Sequence, residues 1–264
     1  MCDLLDPVRA LTEAAGRVIL GHYERPIPVD YKADDSPLTQ ADRASHAFLV
    51  EKLTALTPDV PVLSEESDPA SVAGRKTWRR FWCVDPLDGT KEFVKRTGEF
   101  TVNVALIDGD EPVLGVVHVP VQGLTYFAAK GEGAFKQEGD VEPVRIEART
   151  AAADRLTVVA SRDHAGPEVA AILAAMAAEG LAVEAASMGS SLKFCLVAEG
   201  AADFYPRTVP TFEWDTAAAQ CVVEAAGGTV TTRDGARLRY NKDDLRNPSV
   251  FTAGDPVLDW RRWL

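Results

Sequence analysis

The feature that most restricts this chain is a set of three acidic clusters, each placed where an apolar segment ends. They are Ser64-Glu65-Glu66-Ser67, Asp85-Pro86-Leu87-Asp88-Gly89-Thr90 and Glu213-Trp214-Asp215-Thr216-Ala217-Ala218. In the second cluster the apolar run 81–84 leads into two aspartates, which predicts two carboxylates and one backbone carbonyl at a strand end. Hard cations such as Mg²⁺ take oxygen ligands of this kind. Together the clusters predict a divalent-metal site at the ends of strands.

Each cluster, taken alone, also fits a simpler interpretation. An Asp-Pro-Leu-Asp-Gly segment is typical of a turn, because proline fixes φ and glycine accepts a positive φ. Glu65 and Glu66 alone would be a solvated surface pair, and Asp215 alone would be the N-cap of a helix. The metal-site interpretation is favoured because all three clusters lie at element ends beside apolar segments. α/β folds place their ligand-binding and catalytic residues at such ends.

Charge and composition limit the partners. The chain has 264 residues and a formal net charge of -12, whereas a protein that binds nucleic-acid polymers needs a basic surface to neutralise phosphates. A small phosphorylated substrate can still bind beside a metal ion. No apolar run approaches the roughly 20 residues that cross a bilayer. The four cysteines show no CxxC spacing and no signal peptide precedes them, which predicts reduced thiols in a cytoplasmic protein; peripheral association with the inner membrane stays open.

The pattern of apolar residues predicts an α+β half over 1–150 and an α/β half over 151–264, which together form one catalytic unit. The first half begins with an amphipathic helix. Its apolar stripe consists of Leu4, Val8, Leu11, Ala15 and Val18. A turn at 34–37 precedes a second helix. This helix starts at the N-cap Thr39, and Ala44, Phe48 and Leu56 form its stripe.

Strand-forming runs follow these helices in direct succession, which predicts an antiparallel sheet. They lie at 60–63, 81–84, 101–107, 113–119 and 124–128. In the second half, strand and helix signals alternate instead. We expect a strand at 156–160 and helices at 169–178, 190–198 and 216–226. Gly227-Gly228 is expected to end the last helix.

The three acidic motifs, in this order, resemble those of the inositol monophosphatase superfamily. Within it, the segments 84–93 and 98–103 look most like the bacterial 3'(2'),5'-bisphosphate nucleotidases of the CysQ type. The similarity continues through 36–42, 131–135 and 189–194 and so covers nearly the whole chain. This resemblance implies an α+β fold, a layered α/β/α/β/α sandwich with the active site between its halves. Homodimer formation is compatible with it.

The resemblance also implies a phosphatase that depends on two or three Mg²⁺ ions and is sensitive to lithium. It would remove the 3'-phosphate from adenosine 3',5'-bisphosphate and from its sulfated relative, 3'-phosphoadenylyl sulfate. The alternatives are an inositol or other sugar monophosphatase and a non-catalytic protein that binds a phosphorylated ligand. A purely structural protein with acidic turns would not need Thr90 and Asp42 together.

The family's roles, carried over position by position, imply a shared metal site. Glu65, Asp85 and the Leu87 carbonyl resemble the ligands of a first ion. A second ion would be held by Asp85, Asp88 and Asp215. Glu65 would also help to orient the nucleophile, through a water or a third ion.

Three further groups complete the predicted site. Thr90 would bond the attacking water, and Asp42 would bond the Thr90 hydroxyl. Gly89-Thr90 should open a short helix whose N–H groups bind phosphate. The histidines at 22, 46, 118 and 164 fall outside every motif, and metal-bound water needs no imidazole base. We expect them to be structural or surface residues.

The choice of substrate depends on Tyr205-Pro206-Arg207. Inositol-specific members usually carry a carboxylate in this region, whereas a cation suits a second phosphate. Ser190, Lys193 and Arg207 are therefore the predicted ligands of the part of the nucleotide that does not react. Arg207 could instead form a surface salt bridge, and an insertion at 208–212 complicates its alignment. The full predicted substrate set is Glu65, Leu87, Asp88, Gly89, Thr90, Ser190, Lys193, Arg207 and Asp215.

Overall fold

The computed structural model describes residues 2–24, 28–31, 37–160 and 166–264. The helices of these ranges are α1 (Cys2–Tyr23), α2 (Gln40–Leu56), α3 (Thr90–Lys95), α4 (Pro167–Ala178), α5 (Leu192–Ala198) and α6 (Glu213–Ala225). A short antiparallel pair, β1 (Val29–Tyr31) and β2 (Pro37–Thr39), precedes α2. No described helix is long and apolar enough to cross a membrane.

In the first large sheet, neighbouring strands are also consecutive along the chain. It consists of β3 (Val62–Ser64), β4 (Arg80–Asp88), β5 (Thr101–Asp108), β6 (Glu111–Val119), β7 (Leu124–Ala129), β8 (Gly133–Glu138) and β9 (Val144–Ile146). Neighbours from β4 onward are antiparallel, as predicted. β3 departs from the prediction and lies parallel to β4, because the chain crosses over through 65–79 before it re-enters the sheet.

The second large sheet does not follow the chain order. Its strands are β10 (Arg155–Ala160), β11 (Ala182–Ser187), β12 (Phe204–Arg207), β14 (Thr229–Thr232) and β16 (Val250–Ala253), and β13 (Thr211–Phe212) pairs separately with β15 (Arg246–Asn247). The order is β11-β10-β12-β16-β14. β10 is parallel to both its neighbours, whereas β16 is antiparallel to β12 and β14.

Alternation along β4 shows how the layers are arranged, since successive side chains of a strand point to opposite faces. Trp82 and Val84 pack with Val8 of α1 and Leu49 of α2. Cys83 packs on the opposite face in a cluster that includes α5, α6 and strands of the second sheet. The far face of the second sheet packs against α4 and the 3₁₀ turn Trp260–Trp263. The predicted layered α/β/α/β/α sandwich is confirmed.

The predicted stripe on α2 was wrong by one position. Ser45 and Leu49 are buried, whereas Ala44, Phe48 and Leu56 are only half-buried. The first two turns of the buried face carry the small or polar residues Ala41, Asp42 and Ser45, of which Ser45 bonds the loop at Pro86. Leu49 and Leu53 are buried further along the helix. Apolar periodicity alone therefore indicated the edge of the buried face and not its centre.

Helix ends agree with local signals more closely than helix faces do. Thr39 caps α2 as predicted, with its side chain accepting the Ala41 N–H at 3.1 Å, and Gly227 follows α6 with φ +97°. Three starts were misplaced. α4 begins at Pro167 instead of residue 169. α5 begins at Leu192 because Ser190 has a φ of +45°, and α6 begins at Glu213 instead of residue 216. The turn predicted at 34–37 lies largely outside the described residues.

Candidate active site

The predicted site residues meet at one cavity of about 370 Å³. The carboxylates Glu65, Asp88 and Asp215 line it together with the basic side chains Lys193 and Arg207. Gly89, Thr90 and Ser190 also contribute to its wall. Asp42, Asp85 and Leu87 lie behind that wall and are almost fully buried. Segments from both large sheets are therefore needed to form the cavity.

The end of β4 is bent by a β-bulge. Asp85 pairs with Asn103 and Asp88 with Thr101, so β4 has one residue more than β5 in this stretch. A bulge of this kind redirects side chains. The loop is fixed internally, since Asp85 Oδ1 accepts the Leu87 N–H at 3.0 Å. It is also fixed from α2, where the Ser45 hydroxyl donates to the Pro86 carbonyl at 2.8 Å.

Asp88 is joined to the second half of the chain through Ser191. The N–H and the hydroxyl of Ser191 both lie 2.6 Å from Asp88 Oδ2. The same hydroxyl lies 2.8 Å from the backbone carbonyl of Asp215, and the Asn103 amide donates to it at 2.9 Å. Ser191 thus holds Asp88 and the start of α6 together.

Asp85 and Asp215 are carboxylates in surroundings that oppose ionisation. Burial raises the pKa of Asp85 well above its ordinary value, and nearby carboxylates raise it further. Those neighbours are Glu65, Asp88 and Asp215. Burial, followed by the charge of Asp88, raises the pKa of Asp215 in the same way. Such a cluster is stabilised in its ionised form by a cation placed among its oxygens.

Thr90 and Asp42 form the pair that the sequence analysis predicted. The Thr90 hydroxyl donates to Asp42 Oδ1 at 3.1 Å. The other carboxylate oxygen of Asp42 accepts the N–H of Thr39 at 2.7 Å and the Thr39 hydroxyl at 2.6 Å. Burial raises the pKa of Asp42, although these hydrogen bonds oppose the rise. The Thr90 hydroxyl proton is therefore directed away from the cavity, and its oxygen can accept a hydrogen bond there.

Gly89 makes the sharp turn from β4 into α3. Its φ is +92°, a conformation that side chains disfavour. A Cβ at this position would lie 3.3 Å from the Glu99 carbonyl. Glycine is thus required both by the backbone and by the close approach of the next segment.

Three basic residues, Lys91, Lys193 and Arg207, line the cavity together with the carboxylates. Lys193 is 5% exposed, and its Nζ donates to the Ser190 carbonyl at 3.1 Å and lies 5.8 Å from the Tyr205 ring. Burial lowers the pKa of Lys193 to about 8. Arg207 lies at the end of β12. Within the described part of the chain its buried Nε has no hydrogen-bond partner, and neither has the buried Ser190 hydroxyl.

Comparison with known proteins places the fold and the motifs in one family. The model of the inositol monophosphatase family matches residues 3–259. The chain belongs to the inositol monophosphatase family. The resemblance found in the acidic motifs is thereby confirmed.

Relatives within this family are close. The 3'(2'),5'-bisphosphate nucleotidase CysQ of Escherichia coli K12 is 48% identical over 248 residues, which cover 93% of this chain and 97% of the relative. CysQ from Aggregatibacter actinomycetemcomitans is 41% identical over 260 residues, covering 97% and 95%. The crystal structure of CysQ from Bacteroides thetaiotaomicron is 44% identical with a TM-score of 0.80, covering 92% and 94%. The Thermotoga maritima IMPase, at 24% identity and a TM-score of 0.80, covers 99% and 96% and shares the fold.

The oxygen donors of this family member suit divalent cations. Burial and the repulsion between neighbouring carboxylates both raise the pKa of Asp85. The positive charge of a bound metal ion would offset both effects. Within the described ranges, however, no three acidic, histidine or cysteine side chains are arranged so that they could hold an ion by themselves. Ions here would need further oxygens from the Leu87 carbonyl, water and substrate phosphate, which is usual for Mg²⁺.

Sequence reasoning missed two members of the site. Ser191 and Asn103 fall inside the motifs that carry the family resemblance, but their pairing joins residues 88 positions apart. The sequence signals for them were weak: Asn103 is an amide within a strand-forming run, and Ser191 is a second serine next to Ser190. The three histidines that the structure describes do not line the cavity: His22 lies in the last turn of α1, His46 bonds Ser64, and His118 bonds Thr125. His164 lies outside the described residues.

Proposed function

We propose that this protein is a 3'(2'),5'-bisphosphate nucleotidase that hydrolyses the 3'-phosphate of adenosine 3',5'-bisphosphate and of 3'-phosphoadenylyl sulfate. The observation that carries the proposal is a single cavity lined both by carboxylates and by basic side chains, among them Lys193 and Arg207. A substrate with two phosphates would use both kinds of group, one phosphate at the carboxylates with their ions and the other at the basic side chains. Similarity to enzymes of this name along nearly the whole chain supports it.

Glu65, Asp85, Asp88 and Asp215 would hold two or three Mg²⁺ ions, together with the Leu87 carbonyl. When bound, such ions lower the pKa of a water and stabilise the leaving oxygen. Thr90 would accept a hydrogen bond from the attacking water, because its own proton is engaged by Asp42. The backbone at Gly89 and Thr90 would contact the reacting phosphate.

Lys193 and Arg207 would hold the 5'-phosphate, with Ser190 beside them. An ammonium and a guanidinium would each donate charge-assisted hydrogen bonds to a phosphate. Both basic residues line the cavity, which argues against the alternative of a surface salt bridge at Arg207.

Phosphate release from three substrates, with and without Mg²⁺, tests the proposal. We expect adenosine 3',5'-bisphosphate to be hydrolysed with a higher kcat/KM than inositol 1-phosphate or fructose 1,6-bisphosphate, and only with Mg²⁺. A preference for inositol 1-phosphate would support the sugar-phosphatase alternative. No turnover of any of the three would support the non-catalytic alternative.

Lithium should inhibit this reaction at submillimolar to millimolar concentration. Li⁺ would occupy the oxygens around Asp88 and Asp215 but supply half the charge of Mg²⁺. Phosphate release measured against LiCl, with NaCl at the same concentrations as the control, checks this expectation. Equal responses to the two salts would contradict it.

We also propose that the enzyme is cytoplasmic. Cys83, Cys195 and Cys221 are free and buried, as expected for thiols in a reducing compartment. Homodimer formation is a further prediction, which sedimentation velocity of the purified protein tests.

A further inference from the structure

Glu213 is a buried charge beside the site that none of the roles above uses. It is 0% exposed and is not among the described residues that line the cavity. Its Oε2 accepts the Asn241 N–H at 2.8 Å. Its Oε1 accepts the Lys242 N–H at 2.9 Å and the Lys242 ammonium at 2.8 Å. Both oxygens are thus directed at the segment 241–242.

A continuous set of hydrogen bonds leads from Glu213 to Asp215. The Lys242 ammonium also donates to Asn247 Oδ1 at 3.0 Å. The Asn247 amide donates to the Phe212 carbonyl at 2.7 Å. The Phe212 N–H in turn donates to Asp215 Oδ2 at 2.8 Å. The orientation of the Asp215 carboxylate therefore depends on how the backbone at 212–213 is held.

The segment 241–243 is itself fixed to the chain that leads into β4. Arg75 donates to the Lys242 carbonyl at 2.6 Å and to the Asp243 carbonyl at 2.7 Å. The Asn241 amide donates to the Trp78 carbonyl at 3.3 Å. Through these contacts, Glu213 connects the start of α6 to the segment just before β4, at whose end Asp85 and Asp88 lie.

Stability alone does not require an ion pair at this place. Desolvation of two buried charges offsets most of their attraction, and well-packed apolar residues often serve equally well. A carboxylate differs from an apolar residue in that its hydrogen bonds fix direction. Groups that hold metal ligands in this way commonly matter about as much as the ligands themselves.

We infer that Glu213 is a positioning residue: its buried carboxylate fixes the first turn of α6 and thereby holds Asp215 toward the other carboxylates of the cavity. This inference rests on the proposed metal-dependent function. It assigns Glu213 no contact with substrate and no contact with metal.

Glu213→Gln and Lys242→Met test the inference, each compared with the wild type. Three quantities are measured against Mg²⁺ concentration: the Tm without substrate, and the kcat and KM for adenosine 3',5'-bisphosphate. We expect both variants to need about 10- to 100-fold more Mg²⁺ for half of the Tm rise and for half-maximal activity. The KM at saturating Mg²⁺ should change little. Lys242→Met carries the test if Glu213→Gln does not fold.

Glu199→Gln is the matched control. Glu199 is also largely buried and accepts hydrogen bonds from Lys136 at 2.6 Å and Tyr126 at 3.0 Å, away from the cavity. This variant should lower the Tm without changing the Mg²⁺ dependence. If Glu213→Gln and Lys242→Met behave like Glu199→Gln, Glu213 is merely structural and the inference is overturned. A wild type that neither hydrolyses the bisphosphate nor gains stability from Mg²⁺ would refute the proposed function, and the inference with it.

Discussion

Asp88 combines two properties within a single side chain, since one oxygen is held by Ser191 and the residue also lines the cavity. Asp88→Asn should lower kcat by on the order of 10²- to 10³-fold, because it removes a charge that stabilises the transition state. Asp108→Asn, at a carboxylate paired with Arg79 and Arg80 elsewhere, is the control and should keep full activity. Phosphate release at saturating Mg²⁺ measures both. Near-normal turnover in Asp88→Asn would contradict the proposed metal site.

Lys193 should give substrate binding a pH dependence. Its pKa of about 8 means that the side chain is charged below pH 8 and neutral above it. The KM for adenosine 3',5'-bisphosphate should therefore rise between pH 7 and pH 9, while the KM for 3'-AMP changes less. Both phosphates are already ionised in this range, because their second pKa is about 6.

Lys193→Met is the companion variant. It should raise the KM for the bisphosphate by about 10-fold or more, as expected for the loss of a charged hydrogen bond, and should abolish the difference in pH dependence. Equal effects on 3'-AMP and the bisphosphate would argue against a 5'-phosphate at Lys193.

At the scale of elements, the contact between β6 and α6 depends on Gly115. A Cβ there would lie 2.3 Å from the Ala218 carbonyl and 2.8 Å from the Cys221 Cβ. Gly115→Ala should lower the free energy of unfolding by about 1–3 kcal/mol, and should reduce activity because α6 carries Asp215. Gly21→Ala in α1, where an added Cβ would have no described atom within 4 Å beyond its chain neighbours and its own helix backbone, should be neutral or stabilising by about 0.4–1 kcal/mol. Urea unfolding of both variants measures the difference. Equal effects would contradict the tight packing of α6.

Elements whose signals lie within a short stretch of sequence could be predicted. Thr39 has a capping side chain and precedes a helical pattern, and the run from Phe81 to Val84 is apolar enough to indicate a buried strand. β12 and β14 have only four residues each, and β13 and β15 have two. In strands this short, the alternation of apolar and polar residues cannot be detected. Their pairing is decided by tertiary contacts.

The same distinction applies to the candidate site. The carboxylates could be predicted because each lies in a distinctive local motif. Ser191 could not, because a serine is informative only when its N–H and hydroxyl are seen to meet Asp88. Glu213 was grouped with the acidic cluster by sequence, yet its oxygens are directed at residues 241 and 242.

At the scale of the whole molecule, the predicted halves 1–150 and 151–264 should unfold together. α6 belongs to the second half, but its buried face packs in one cluster with β4, β5 and β6 of the first. Unfolding in urea should therefore give coincident transitions by tryptophan fluorescence and far-UV circular dichroism, as in a cooperative two-state process. Two separate transitions would indicate that the halves are independent domains.

The interior position of β16 has a consequence for synthesis on the ribosome. β16 lies between β12 and β14, so β12, which carries Arg207, lacks one of its neighbours until residues 250–253 have been translated. The first sheet, by contrast, pairs strands in the order in which they are made, and such local pairing forms early. The carboxylates at the end of β4 thus belong to a sheet that can pair early, whereas Arg207 lies in a strand that is completed late. Asp215 and Arg207 both lie in this later part of the chain, so the cavity as a whole is complete only when the last strands have paired.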